Sequence, residues 1–342
     1  MLTVLSVAYP LAPVTADPAG GAEQVLAQLD RALVAAGHRS LVIAPQGSAV
    51  AGELQPVPAV AGAITDADRD RVQAATRAAM SQVLATAPVD IVHLHGLDFA
   101  SYLPPDGPPV VVTLHLPLDW HPAGALRPGR GGVHLVPVSA DQASRAGDGV
   151  ALLSPITNGV DCAWYRPDGD KDDYALIIGR VAPEKGFHDA LAAARAADLP
   201  LVAAGRLFPY PDHQRYFAEQ VRPALDARRR FVGPVAGEEK RRLLAGARSV
   251  LIPSTAPETS SLVAMEALAS GTPVIAYRSG ALPSIIEHGV TGLLVDDVAG
   301  MAAALGEVDR IDPAACRAAA LARFDVRVTT RCYLDLYRKL AA

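Results

Sequence analysis

Apolar segments of strand length alternate with segments of helical periodicity along the whole chain. Strands joined through helices pair in parallel, and helices then cover both faces of the sheet. The strand-like segments of the first half fall at residues 2–8, 41–44, 90–95, 110–115 and 134–138, separated by helical stretches such as 22–37 and 68–85. Those of the second half fall at residues 174–179, 201–205, 231–233, 250–253, 273–277 and 293–295. The pattern predicts an α/β fold, and 342 residues are enough for two such domains.

The boundary between the halves is expected near residues 154–161. Two segments rich in Ala, Pro and Gly, residues 46–63 and 104–109, are interpreted as loops. Ligands of parallel sheets bind at the carboxyl ends of the strands, so functional residues are expected in the segments that follow strands.

The charge balance argues against binding to nucleic acid. Lys and Arg total 31 against 36 Asp and Glu, which gives a net charge of -5, whereas a nucleic-acid protein needs cations to neutralise phosphates. Basic clusters at residues 228–230 and 240–242 are interpreted as solvated helix ends, because Glu238 and Glu239 adjoin the second cluster and no aromatic residues interleave.

The cysteines and the apolar segments bear on the cellular compartment. Cys162, Cys316 and Cys332 have neither zinc-site nor disulfide spacing and are predicted to be buried, reduced thiols. Residues 1–8 lack the charged region of a signal peptide, and no segment approaches the ~18 consecutive apolar residues of a membrane span. We therefore expect a cytoplasmic protein without a transmembrane segment, for which peripheral membrane contact stays open.

Two glutamates flank the start of a predicted helix after a strand. Glu258 falls in the turn and Glu266 on the helix, while the backbone N–H groups of Ser260, Ser261 and Leu262 at the helix start can hold a diphosphate without a metal. Glu266 would then reach the ribose hydroxyls of a nucleotide, and Glu258 could hold a sugar. By itself this spacing is more typical of a solvated pair of glutamates than of a ligand site.

Two cations follow an earlier strand. Gly179 and Arg180 end the strand, and Lys185 and Gly186 lead into the next helix. The arginine can bind a diphosphate by paired hydrogen bonds and the lysine as a point charge, so together they can neutralise a leaving phosphate.

In their order and spacing, these motifs resemble the retaining glycosyltransferases of family 4, GT-B enzymes that move a sugar from a nucleoside diphosphate sugar. The resemblance covers nearly the whole chain. It rests on Gly20-Gly21-Ala22-Glu23, Thr113-Leu114-His115, Asn158-Gly159-Val160-Asp161, Gly179-Arg180 with Glu184-Lys185-Gly186, and Glu258 to Glu266 followed by Gly271-Thr272-Pro273-Val274.

The resemblance implies two Rossmann-like domains whose parallel sheets face each other across a cleft. Residues 1–155 would form the acceptor-side domain, and residues 156–326 the domain that binds the nucleotide sugar. The last helix, residues 327–342, would pack back on the first domain.

The resemblance also implies roles for individual residues. His115 would hydrogen-bond the transferred sugar near its 6-hydroxyl, and Glu258 would position the sugar and stabilise charge without covalent catalysis. The catalytic set is then His115, Arg180, Lys185 and Glu258, and the donor-binding set is Gly20, Gly21, Gly179, Pro234, Val235, Ser260, Ser261, Leu262 and Glu266. One departure concerns the donor sugar: Thr259-Ser260-Ser261 stands where the family commonly has a Phe-Gly pair.

His93 and His95 share one face of a predicted strand. Their spacing could serve a metal, but no acidic or cysteine partner stands at a typical distance, so a satisfied core or pocket pair is the favoured interpretation.

The implied activity is the transfer of a hexose-type sugar with retention of configuration and without a metal or other cofactor. UDP is the preferred nucleotide and GDP the second, and the acceptor, whether small molecule, glycan or lipid-linked, stays unknown. The alternative is a GT-B protein that does not transfer, such as a sugar-nucleotide epimerase or a catalytically silent binder. A nicotinamide-dependent dehydrogenase would need Gly-x-Gly-x-x-Gly after the first strand, and the chain has Tyr9-Pro10-Leu11-Ala12-Pro13 there.

Overall fold

The computed structural model describes residues 1–15, 20–60, 62 and 64–342. The chain forms two compact units, the first made of Met1–Asn158 with Val328–Ala342 and the second of Gly159–Arg327. Each unit contains a parallel sheet and a hydrophobic core of its own.

The sheet of the first unit has six parallel strands in the order β3-β2-β1-β4-β5-β6. The strands are β1 Thr3–Val7, β2 Arg39–Pro45, β3 Glu53–Val57, β4 Ile91–Leu94, β5 Val110–Leu114 and β6 Val133–Pro137. Since β1 pairs with both β2 and β4, the strand order reverses between β1 and β4. In parallel sheets this switch point is where ligands bind.

Helices cover both faces of this sheet, so its central strands are buried on both sides. All residues of β1, β4 and β5 are buried. The helices that precede the second unit are α1 Gly21–Ala35, α2 Asp66–Thr86 and α3 Ala140–Ser144, with 3-10 turns at Phe99–Ser101 and Leu118–Trp120. In α1 the buried Leu26, Leu29 and Leu33 recur at helical spacing, so one stripe of the helix faces the core.

The strand β3 corrects the sequence-based prediction of a loop at residues 46–63. It pairs with β2 at the edge of the sheet, from Leu41 opposite Glu53 to Pro45 opposite Val57, and is only partly buried. An edge strand tolerates Pro56 because one side of its backbone needs no ladder partner, and such a polar, proline-containing segment has no strand periodicity. Ala61 and Ala63 of the predicted loop lie outside the described residues.

The second unit repeats the design, with six parallel strands in the order β12-β11-β10-β7-β8-β9. The strands are β7 Ala175–Arg180, β8 Leu201–Arg206, β9 Arg229–Gly233, β10 Ser249–Ile252, β11 Val274–Tyr277 and β12 Gly292–Val295. The helices are α4 Phe187–Ala196, α5 Pro211–Tyr216, α6 Gly237–Gly246, α7 Leu262–Ala269, α8 Leu282–Ile285, α9 Val298–Leu305 and α10 Pro313–Arg323. Short 3-10 turns lie at Pro183–Lys185, Arg222–Ala224 and Val308–Arg310, and a π-helical segment lies at Phe217–Val221. The strand order reverses between β7 and β10.

The last helix, α11, spans Val326–Ala341, and from Val328 onward it belongs to the first unit. Its Tyr333 and Tyr337 are fully buried. The Tyr337 hydroxyl lies 2.6 Å from Nδ1 of His93, and the Tyr333 hydroxyl lies 2.8 Å from Oγ1 of Thr113. The two rings supply apolar area while their hydroxyls remain hydrogen-bonded, which ties the helix to β4 and β5.

The predicted burial of the cysteines is confirmed for Cys162 and Cys316 but is wrong for Cys332, which is exposed on α11. In the described part of the chain, no helix combines the length and the apolar character that crossing a membrane requires.

Candidate functional site

The switch point of the second unit brings together three of the predicted catalytic residues. The central strands β7 and β10 are neighbours, and the chain leaves them toward opposite edges of the sheet. Arg180 ends β7, Lys185 follows in the loop before α4, and Glu258 lies in the loop between β10 and α7. The carboxyl ends of β7 and β10 therefore present two cations and a carboxylate at the position typical of a ligand site.

Lys185 and Glu258 form an ion pair in this site. The Lys185 Nζ lies 2.5 Å from Oε1 of Glu258, and the Ser254 hydroxyl donates to the same oxygen at 2.6 Å. Burial acts to raise the pKa of Glu258, but the charge and hydrogen bond of Lys185, the Ser254 hydroxyl and the charge of Arg180 outweigh it and hold that pKa below its usual value. Glu258 is therefore an anion with a fixed orientation, and Ser254 is a site residue that the sequence analysis missed.

The loop that carries Lys185 lies directly on the loop that follows β10. The Thr255 N–H donates to the carbonyl of Glu184 at 3.0 Å. Gly186 has a φ of +66°, and a Cβ there would overlap the carbonyl oxygen of Pro253. Only glycine accepts both the left-handed backbone and this close approach, which explains the Lys-Gly step of the sequence.

Arg180 is paired as well, since its Nη2 lies 2.7 Å from Oε1 of Glu184. Directly opposite Arg180, in register on β8, stands the exposed Arg206. Residues in register on neighbouring parallel strands point to the same face, so two arginines share this edge of the sheet. The sequence analysis missed Arg206 because it belongs to none of the motifs, and only the register of β8 with β7 brings it opposite Arg180.

The helix α7 begins at Leu262, so only the last of the three predicted phosphate-binding amides belongs to the helix itself. Ser261 is the N-cap, and its hydroxyl oxygen accepts from the N–H of Ala264 at 3.4 Å. Ser260 precedes the cap, and its buried Oγ has no hydrogen-bond partner in the described part of the chain. A buried hydroxyl without a partner beside a helix N-terminus is a polar group that a ligand could satisfy.

Glu266 lies on α7 as predicted, but it is buried. Only 1% of its side chain is exposed, and its Oε1 lies 2.8 Å from Nζ of Lys240 on α6. Lys240 is itself 12% exposed, and its ammonium lies 5.4 Å from the ring centroid of Tyr165. The alternative of a solvated glutamate pair is therefore wrong for Glu266.

The interpretation of the two basic clusters as solvated helix ends is also wrong in part. Lys240 is paired with Glu266, and Arg241 is buried between Glu238 and Asp168. Arg229 lies on β9 rather than on a helix and is buried against Asp226. These cations are shielded from solvent because each pairs with an acidic residue that is either distant in sequence or one helical turn away. A count of charges along the sequence does not reveal such pairs.

The remaining donor-binding predictions of the second unit fall at the same carboxyl edge. Gly179 lies in β7 opposite Gly205. Pro234 and Val235 follow β9, the edge strand, with Pro234 exposed and Val235 half-buried.

In the first unit, Gly20 is the N-cap of α1 and Gly21 its first residue. A Cβ on Gly20 would overlap the carboxylate of Glu23, a buried residue whose pKa is raised by burial. The absence of a side chain at Gly20 therefore leaves room for the Glu23 carboxylate at the start of α1.

His115 follows β5 and lies beside His95, which follows β4. The Nε2 of His115 is 3.0 Å from Nδ1 of His95. Burial and the neighbouring His121 lower the pKa of His115 to about 3, so its ring is neutral at physiological pH. The protein without ligand therefore presents His115 as a neutral imidazole.

The prediction of a satisfied histidine pair is confirmed for His93 and only half correct for His95. Both ring nitrogens of His93 are hydrogen-bonded, to Tyr337 and Thr113, whereas Nε2 of His95 is buried without a partner in the described residues. Within residues 1–15, 20–60, 62 and 64–342, no three His, Cys, Asp or Glu side chains group as metal ligands.

Gly280 supports the Glu258 loop from a third element and was missed as a positioning residue. It has a φ of +57°, and a Cβ there would overlap the backbone oxygen and nitrogen of Glu258. The next N–H, of Ala281, donates to the carbonyl of Glu258 at 2.7 Å, and the Ser279 hydroxyl donates to the carbonyl of Ala256 at 2.9 Å.

We expect Gly280→Ala to be more destabilising than Gly289→Ala, measured as free energies of unfolding in denaturant. Gly289 has a φ of +80°, but no atom of the described residues lies within 4 Å of the position that a Cβ would take, so its substitution carries backbone strain alone, about 1 kcal/mol. Gly280→Ala adds the overlap with Glu258 and should lose about 2–3 kcal/mol or more. Equal losses in the two variants would contradict the bracing role of Gly280.

Two family profiles match the chain. The profile of Glycosyltransferase Family 4 matches residues 19–164, and that of Glycosyl transferases group 1 matches residues 172–308. The chain belongs to the family 4 glycosyltransferases.

Individual relatives agree with this family. The chain is 35% identical over 184 residues to a glycogen synthase of Mycobacterium tuberculosis, a match that covers 50% of this chain and 43% of the relative. The first curated relatives are thus matched over less than half of their length. A phosphatidyl-myo-inositol mannosyltransferase of Mycolicibacterium smegmatis is 29% identical over 92% of this chain and 87% of its own.

Among solved structures, AviGT4, a glycosyltransferase involved in avilamycin A biosynthesis, superposes with a TM-score of 0.73 at 27% identity, covering 100% of this chain and 98% of that one. The predicted GT-B α/β fold of this family 4 chain is therefore confirmed, with a six-stranded parallel sheet in each unit.

Proposed function

We propose that this family 4 protein is a retaining glycosyltransferase that moves a hexose-type sugar from a nucleoside diphosphate sugar to an acceptor. The observation that carries the proposal is the contact of Lys185 with Glu258 at the switch point of the second unit, with Arg180 at the end of the adjacent strand. The carboxyl edge of this sheet therefore offers cations for a leaving diphosphate and a carboxylate for sugar hydroxyls.

The diphosphate leaves with its bonding electrons as the bond to the anomeric carbon breaks. Lys185, Arg180 and the N-terminus of α7 place positive charge where this negative charge develops, and preorganised donors of this kind stabilise a transition state strongly. These groups supply charge stabilisation from the chain itself, so we propose a reaction that needs no metal.

Glu258 is proposed to orient the sugar. Its Oε1 accepts from both Lys185 and Ser254, which favours Oε2 for a sugar hydroxyl. In a reaction with retention, the acceptor oxygen attacks from the face that the diphosphate leaves, and the leaving phosphate takes the acceptor proton. Glu258 then forms no covalent intermediate.

The nucleotide is proposed to lie along α7, with Glu266 toward its ribose hydroxyls and the loop at Pro234 and Val235 toward its base. UDP is proposed as the first nucleotide and GDP as the second. The similarity to the phosphatidyl-myo-inositol mannosyltransferase of Mycolicibacterium smegmatis supports a hexose as the transferred sugar. An epimerase or a silent binder is less favoured, because neither needs two cations and a carboxylate held together in this way.

Differential scanning fluorimetry with UDP, GDP, ADP and NAD, each in EDTA, tests the proposal. A nucleoside diphosphate at a hundred times its dissociation constant should stabilise the protein by about 2.7 kcal/mol. Arg180→Ala should abolish this shift and leave the unliganded transition nearly unchanged, because its ion pair with Glu184 is partly exposed.

Arg338→Ala is the matched control, since Arg338 pairs with Asp335 on the exposed side of α11. It should keep the full nucleotide shift. Stabilisation by NAD alone, by none of the nucleotides, or by a diphosphate only when metal is added would refute the proposal.

A further inference from the structure

His95 and His115 meet edge to edge, nearly in one plane. Their rings are inclined by 18°, with centroids 5.3 Å apart and the joining nitrogens 3.0 Å apart. The centroid separation exceeds the nitrogen separation by about the sum of the two ring radii. The two nitrogens therefore lie on the line that joins the centroids, and the rings do not overlap. The contact therefore runs along an N–H bond of one ring and the in-plane lone pair of the other.

A single proton lies in this contact. Burial, with the neighbouring histidines, lowers the pKa of His95 well below its usual value, and His115 is neutral as described above. A neutral imidazole has one N–H donor and one acceptor nitrogen. Either His95 donates from Nδ1 to Nε2 of His115, or His115 donates in the reverse direction.

The second ring nitrogen of His95 distinguishes the two directions. Its Nε2 is buried and has no hydrogen-bond partner in the described part of the chain. If His115 were the donor, the proton of His95 would lie on Nε2, as a buried N–H without an acceptor. Orphaned buried N–H groups are rarer than unsatisfied acceptors. His95 is therefore protonated on Nδ1 and donates, and His115 accepts at Nε2 and has its own proton on Nδ1.

The ring of His95 is itself held in place. The His93 ring packs on it with a centroid distance of 4.0 Å. His93 is fixed at both nitrogens, by the Tyr337 hydroxyl at 2.6 Å and by Oγ1 of Thr113 at 2.7 Å. Helix α11 thus fixes the His93 ring, and the His93 ring in turn fixes the orientation of His95 toward His115.

We propose that His95 is a positioning residue that sets the tautomer and the ring plane with which His115 meets the transferred sugar. The role of His115 toward the sugar rests on the proposed function, whereas the tautomer is a property of the protein alone.

The first test is the ¹⁵N spectrum of the full chain labelled at histidine, at pH 7, with His115→Asn to assign the His115 signals. The expected result is protonation of both His95 and His115 on Nδ1. A His115 ring protonated on Nε2 in the unmodified protein would overturn the proposal.

The second test compares three substitutions of His95. Phe supplies an aromatic ring without a donor nitrogen. Asn keeps an amide N–H near the position of Nδ1, and Gln places the amide N–H near the position of Nε2 instead. His95→Phe and His95→Gln should lose the single tautomer of His115 and lower kcat about 10–100-fold with little change in KM for the donor, and His95→Asn should stay within about threefold of the unmodified enzyme.

If His95 had a merely structural role, His95→Asn and His95→Gln would lose equal amounts of kcat, and the tautomer of His115 would be unchanged in His95→Phe. Either result overturns the proposal. If His95→Phe does not fold in a melting experiment, the Asn and Gln variants decide. A failure of the proposed function would appear differently, as an unmodified protein that turns over no nucleotide sugar while its His115 tautomer is as expected.

Discussion

Lys185→Met is expected to lower the rate of nucleoside diphosphate release from the donor sugar about 10²–10³-fold. Two losses combine in this variant. The departing diphosphate loses a cation, and Glu258 loses the charge that does most to hold its pKa down. Because burial then dominates, the pKa of Glu258 rises, its carboxylate is protonated at a higher pH, and the acid limb of the pH–rate profile moves upward.

Lys339→Met is the matched control for Lys185→Met, because Lys339 is exposed near the end of α11. Its turnover and pH profile should equal those of the unmodified protein. Glu258→Gln in the Lys185→Met background should remove the pH shift, because the titrating group is gone, without restoring the rate. Turnover of Lys185→Met within threefold of the unmodified protein would contradict a role for this lysine in stabilising the leaving group.

Lys240→Met is expected to lower the free energy of unfolding by about 3–5 kcal/mol, measured by chemical denaturation. The substitution removes the ion pair that Lys240 makes with the Glu266 carboxylate, whose side chain is 1% exposed. Methionine nearly keeps the volume of the lysine stem, so the loss reports the missing ion pair rather than a cavity.

The double variant Lys240→Met with Glu266→Gln should regain most of that stability, since replacing both members of a buried ion pair is often close to neutral. Lys339→Met should change stability by less than about 0.5 kcal/mol. Additive losses in the double variant would show that Lys240 and Glu266 are not energetically coupled.

Most of the fold follows from local pattern. Strands such as β1 and β5 are buried on both faces, so they appear in the sequence as continuous apolar runs, and glycine marks Lys185-Gly186 as a tight turn. Strand β3 escaped detection because only its pairing with β2 makes it a strand.

The sequence was sufficient to predict which residues of the candidate site follow the ends of strands. Arg180, Lys185 and Glu258 are all found at the switch point of the second unit, where two adjacent strands deliver them. Their pairing was not predictable. Lys185 and Glu258 are 73 positions apart, and the residues that hold Glu258, Ser254 and Gly280, carry no chemical signal that distinguishes them from ordinary loop residues.

Periodicity, turn residues and motif order were therefore enough to establish the α/β class and the family, and to put candidate residues at strand ends, because each of these depends on neighbours along the chain. Strand order and helix packing alone decided which polar side chains meet: Lys240 with Glu266, Lys185 with Glu258, and His95 with His115. The reason is physical. Burial makes an unpaired charge or donor costly, so the partner that a buried group finds in space, rather than its own residue type, sets its protonation and orientation.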